Sequence, residues 1–232
     1  MRRYLSALLI PLLLAGCGSS GGRETTPTTR PQDVRAAVAR AQLAVADLGG
    51  DWKLTAVEPA ATTDKIDQSL EQCVGKDLDI IEQADAESGS RTFERGSDTA
   101  QQQIVSSSAA FGSESRVARL FAVFGGRRFA KCMATAFQAR VQAQAGAQKG
   151  LSLEAAAPVV VRPAVAGADQ SVHITDPVKV HLDQLTLDGR FDIVLLATRR
   201  VVSMLLGFSV GPPIPTPQLV HLTQLLLDRQ RA

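Results

Sequence analysis

The chain has 232 residues, 45% of them apolar, which is enough for one globular domain with a sizeable core. Its 25 basic and 23 acidic side chains leave a formal charge of +2, so the electrostatic footprint expected of a nucleic-acid-binding protein is absent. No polybasic cluster is present that would hold the chain to an anionic membrane surface.

Arg2 and Arg3 precede a largely apolar run from Leu5 to Leu14, too short to cross a bilayer as a helix, and Leu14-Ala15-Gly16-Cys17 ends it. This ending resembles the bacterial lipobox, in which a peptidase cuts before a cysteine that carries a diacylglycerol thioether and later an acylated amine. The resemblance implies a signal peptide over residues 1–16, lipidation at Cys17, and anchoring to the extracytoplasmic face of the cell membrane. The leader holds two basic residues and no acid, so the mature chain balances 23 basic against 23 acidic side chains. Residues 17–31 then read as the lipidated cysteine and a flexible linker, because Gly18 to Pro31 has no apolar side chain to pack. Gly18, Ser20 and Gly22 match the spacing of a nucleophile elbow, but the strand and helix that such an elbow needs are missing from so polar a tether. Residues 32–232 are expected to form a single extracytoplasmic domain. With Cys17 committed to lipid, Cys73 and Cys132 remain as an even pair in an oxidising compartment and are expected to be disulfide-bonded, two free buried thiols being the alternative.

Within the domain, Val34, Ala37, Val38, Ala41, Val45 and Leu48 have helical spacing, which predicts one helix over 33–47 ended by Gly49-Gly50. Trp52 to Val57 alternates and reads as a first strand, with Trp52 as a core residue. A short helix over 64–74 would turn Cys73 inward. Residues 91–96 and 101–111 read as extended, the second run unusually small in its side chains at Ser106, Ser107 and Ser108. Ser113 is placed to cap a helix whose Val117, Leu120, Phe121 and Phe124 share one face, and Phe129, Cys132, Met133, Ala136, Phe137 and Val141 mark a second. From Pro158 the period becomes alternating, with strands expected at 159–161, 171–175, 178–187, 191–197 and 201–210. Asp176-Pro177 and Asp188-Gly189 read as turns, the latter as a strong hairpin signal, and Arg199-Arg200 as a weaker one. The proline-rich run 211–217 stops the sheet, and a helix from Pro217 to Arg229 closes the chain. The fold class is therefore α+β: an antiparallel sheet covered by helices, with a closing meander and a C-terminal helix.

Chemistry is sparse along this chain. His173 and His181, in strands expected to be adjacent, have no carboxylate or cysteine at metal-ligand spacing beside them, and His221 stands alone. No phosphate loop, zinc-protease helix, calcium loop or redox cysteine pair occurs. Asp77, Asp79 and Glu82 read as a solvated helix end, and Arg127-Arg128 as a solvated helix start. Neither a catalytic set nor a metal site nor a cofactor is implied.

The run Asp47-Leu48-Gly49-Gly50-Asp51-Trp52, then Cys73, the helix from Ser113 to Phe124, Phe129-Ala130-Lys131-Cys132, and the final meander and helix resemble actinobacterial envelope lipoproteins with a sensor-like domain. That group is similar to the extracellular sensor domain of a mycobacterial receptor-type Ser/Thr kinase. The resemblance implies a small sheet with helices and a central cleft. The kinase-type domain has two bridges, whereas this chain offers one cysteine pair. The functional expectation is a non-enzymatic lipoprotein of sensor or carrier type, taking a lipid-like apolar or amphiphilic molecule or an envelope protein in a cleft between sheet and helices. A scaffold lipoprotein without a small ligand is the second reading and a secreted serine hydrolase the third.

Overall fold

The computed structural model describes residues 31–58, 72–75, 84–97, 100–133, 135, 151–155, 159–161, 165–182 and 184–232. Cys17, the leader, the linker up to residue 30, and Asp77, Asp79 and Glu82 lie outside them, as do most of the helix expected over 64–74 and the end of that expected around Phe137 and Val141.

Among the described residues eight strands form one antiparallel sheet: β1 (Lys53–Glu58), β2 (Ala84–Ser97), β3 (Ala100–Phe111), β4 (Leu151–Ala155), β5 (Val159–Val161), β6 (Gln170–Leu182), β7 (Leu185–Thr198) and β8 (Val201–Val210). Their order is β1-β2-β3-β8-β7-β6-β4, with β5 pairing β6 beside β4. Helices lie on both faces, as the α+β reading requires. On one face α3 (Glu114–Phe124) and the helical segment 127–133 bury Val117, Leu120, Phe121, Phe124 and Phe129 against Val105, Ile174, Leu195 and Met204. Ser113 caps α3 by accepting a hydrogen bond from the Arg116 N–H. On the opposite face α1 (Pro31–Arg40), α2 (Val45–Leu48) and α4 (Thr216–Arg231) cover Phe93, Ile104, Val194 and Leu205. Trp52 is buried in that second cluster beneath the Arg95 guanidinium, which lies 4.6 Å from the ring centre.

The single helix expected over 33–47 is broken at residues 41–44. The break turns three backbone carbonyls away from helical partners and toward side chains from distant elements. Ser108 Oγ donates to the Ala41 carbonyl, Arg229 Nη1 to that of Gln42 at 2.6 Å, and Arg91 Nη1 to that of Leu43 at 2.9 Å. Helical spacing registers apolar side chains and carries no record of such long-range donors, which is why the pattern reads as continuous.

The meander departs from expectation in a second way. Asp176-Pro177 and Asp188-Gly189 are not turns: β6 and β7 run straight through them, with Pro177 opposite Arg190 and Val178 opposite Gly189. On the other edge of β6, β5 pairs up to Thr175 and β4 begins at Val178, so Asp176 and Pro177 fall between two partners and the missing proline N–H breaks no ladder there. Gly189 is required by proximity, since a Cβ would meet Val178 Cγ2 at 2.8 Å. Arg199-Arg200 does form the β7–β8 turn, Arg199 taking a φ of 52° while its N–H donates to Asp169 Oδ2 at 2.7 Å. The strand β4 was not expected, and β2 begins at Ala84, well before residue 91.

Candidate functional site

Two groups of buried polar residues lie on the sheet, one on each face. On the α4 face, Asp192 is almost fully buried and its Oδ1 accepts from Thr175 Oγ1 at 2.9 Å and Arg190 Nη2 at 2.8 Å, with His173 Nε2 at 2.9 Å. Burial would raise the pKa of this carboxyl, but the hydrogen bonds from His173, Arg190 and Thr175 outweigh it and hold the group below its ordinary range. A carboxylate, an imidazole and a hydroxyl in contact invite comparison with a hydrolytic triad. The geometry is different: Thr175 Oγ1 sits 3.2 Å from the same Nε2 that meets Asp192, so the ring cannot pass a proton between them through its two nitrogens. The cluster is structural, its atoms bonding to one another with the exception of Arg190 Nε, which is buried without a partner.

His181 is not a neighbour of His173, because both lie on the single strand β6, eight residues and therefore about 26 Å apart. Its ring meets Thr186 Oγ1 at 3.0 Å and Glu154 at 3.5 Å on an exposed cross-strand surface. His221 is exposed on α4. Among the described residues no group of three His, Cys, Asp or Glu could hold a metal ion. Arg128 donates through Nε and Nη2 to the Cys73 carbonyl, at 3.1 and 2.9 Å, and so braces the backbone beside the disulfide. Cys73 and Cys132 are joined, with Cα atoms 5.6 Å apart, and Cys132 is 1% exposed within the α3-side core.

On the α3 face the row Lys53, Glu94, Gln103, Phe208, Phe191 and Asp176 runs across β1, β2, β3, β8, β7 and β6. Phe191 and Phe208 stack with ring centres 4.4 Å apart. Gln103 is buried on one side of the pair, its Nε2 donating to Glu94 Oε1 at 2.8 Å. Asp176 is buried on the other side, three strand spacings or about 14 Å away. Its Oδ1 has no hydrogen-bond partner, and burial pushes its pKa up to about 6. Gln101, two residues from Gln103 on the same side of β3, likewise has a buried Oε1 without a partner. Two acceptors without donors thus flank the buried aromatic pair. An orphaned buried acceptor costs about 1–3 kcal/mol, a cost that a donor arriving from outside would remove. Sequence reasoning missed Asp176 because Asp-Pro reads as turn chemistry; the signal that could have found it is an acid within a run of strand-forming residues.

No family model and no curated protein matches this chain. Among solved structures it is similar to the extracellular domain of PknH from Mycobacterium tuberculosis, with 8% sequence identity and a TM-score of 0.44, covering 85% of this chain and 97% of that one.

Proposed function

We propose that this protein is a non-enzymatic lipoprotein of the extracytoplasmic membrane face whose domain binds an amphiphilic small molecule beside Asp176 and the Phe191–Phe208 pair. The lipobox-like ending at Cys17 and the disulfide support the location. The observation that carries the binding reading is Asp176 Oδ1, a buried acceptor with no donor beside the buried Phe191–Phe208 pair. A ligand with an apolar body and a hydroxyl, amide or ammonium donor satisfies it. The protonation that Asp176 favours near pH 6 makes the preference for a cationic donor stronger at higher pH. Titration calorimetry with dodecylamine and dodecanol on the secreted chain tests the reading. Binding of dodecylamine at pH 7.5 that weakens at least tenfold in Asp176→Asn is expected. Equal affinity in the wild type and the variant, or no binding of either probe, would rule this site out.

A further inference from the structure

Strand β1 is the end of the sheet, and among the described residues no strand pairs its outer edge. A free edge presents unpaired N–H and C=O groups to any extended segment that fits. Two of its side chains are apolar and open to solvent, Leu54 at 44% and Val57 at 63% exposure. Three residues apart in a regular strand, they would point to opposite faces. They do not here, because the pairing with β2 slips by one residue between Leu54 and Ala56. Leu54 lies opposite Phe93 and Val57 opposite Arg91, and those two are alternate residues of β2. The bulge at Thr55 therefore brings Leu54 and Val57 onto one face, the face covered by α1 and α4.

From this self-complementary edge we infer that the partner of β1 is β1 of a second copy of this chain, paired antiparallel about a two-fold axis at Ala56, with Leu54 and Thr55 sharing one position of the ladder. In that register Leu54 faces Val57 of the partner and Val57 faces Leu54 of the partner, so both apolar pairs form on one side of the joined sheet. In register, Lys53 falls opposite residue 58 of the partner and residue 58 opposite Lys53 of the partner, so a basic and an acidic position pair twice. Shifting the pairing by one residue in either direction puts an apolar residue opposite a charged one and on the wrong face, so the bulge selects this register. The edge is short, six residues from each copy, and forms an interface at the small end of specific association.

Sedimentation velocity on the secreted chain tests the pairing, with circular dichroism confirming that each variant is folded. A monomer–dimer equilibrium with a dissociation constant on the order of 100 µM is expected. Lys53→Glu sets like charges opposite each other and is expected to weaken it by about tenfold, as is Glu58→Lys. The double variant Lys53→Glu/Glu58→Lys reverses both pairs and restores the wild-type constant. Leu54→Lys abolishes the dimer. A protein that stays monomeric to about 1 mM, or a dimer indifferent to Leu54→Lys, overturns the inference. So does a double variant no better than its two parents.

Discussion

Asp176 and Asp192 lie one pair apart on adjacent strands, yet on opposite faces of the sheet, and their environments push them in opposite directions. Asp192 has three partners and stays ionised; Asp176 has an unpartnered oxygen and retains its proton to about pH 6. The linkage has a definite sign. A carboxyl whose pKa rises from 3.8 to about 6 on folding imposes no penalty below about pH 3, where both states are protonated, and nearly the full penalty above about pH 6. The difference amounts to about 3 kcal/mol. Asp176→Asn is expected to remove about that much of the fall in urea-unfolding stability between about pH 3 and pH 7. An unchanged slope of stability against pH over this window would show that the carboxyl is not held as described. Asp47 behaves like Asp192: burial acts to raise its pKa, but the paired hydrogen bonds from Arg229, both 2.7 Å, keep it low.

At the level of elements, what the sequence made legible and what it hid divide along one line. Local signals held where local forces decide: the Ser113 cap and the stripe Val117, Leu120, Phe121, Phe124 place α3 to the residue, and the apolar run after Arg200 places β8. They failed where a distant group decides. Three side chains from β2, β3 and α4 unwind residues 41–44, and the neighbours of Gly189 turn a hairpin signal into a tight contact inside β7. The candidate site was hidden for the same reason, since its row is assembled from six strands. Arg229 links the broken helix to α4 through the Gln42 carbonyl and Asp47. Arg229→Ala is expected to destabilise the domain by about 2–3 kcal/mol, with Arg229→Lys intermediate because an ammonium cannot replace the paired contact. Chemical denaturation of the three proteins would reveal the order; a lysine variant as stable as the parent would exclude the bidentate role.

For the whole molecule, the disulfide binds the α3 layer to the segment around Cys73, across 59 residues of chain. Its contribution is expected to be about 4 kcal/mol on the chain-entropy model. The double variant Cys73→Ala/Cys132→Ala should lower the denaturant midpoint accordingly, and reductant should then have no further effect on it. A midpoint within error of the parent's would mean that the bridge adds nothing to the fold. Cysteine parity made this pair legible once Cys17 was assigned to lipid. The strand order was not legible, because the β3–β8 pairing joins segments about 100 residues apart and leaves no local trace.

Trp52 is the only tryptophan in the chain, and the only tyrosine, Tyr4, falls in the segment expected to be a leader. Excitation at long ultraviolet wavelengths would therefore address a single indole, buried under Arg95 at the root of β1 and shared by the α2, α4 and sheet layers. Its emission reports on one layer of the molecule and on the start of β1. Far-ultraviolet dichroism reports on all layers together. Divergence between these two signals during unfolding would separate the α4 side from the disulfide-bound α3 side without any introduced label.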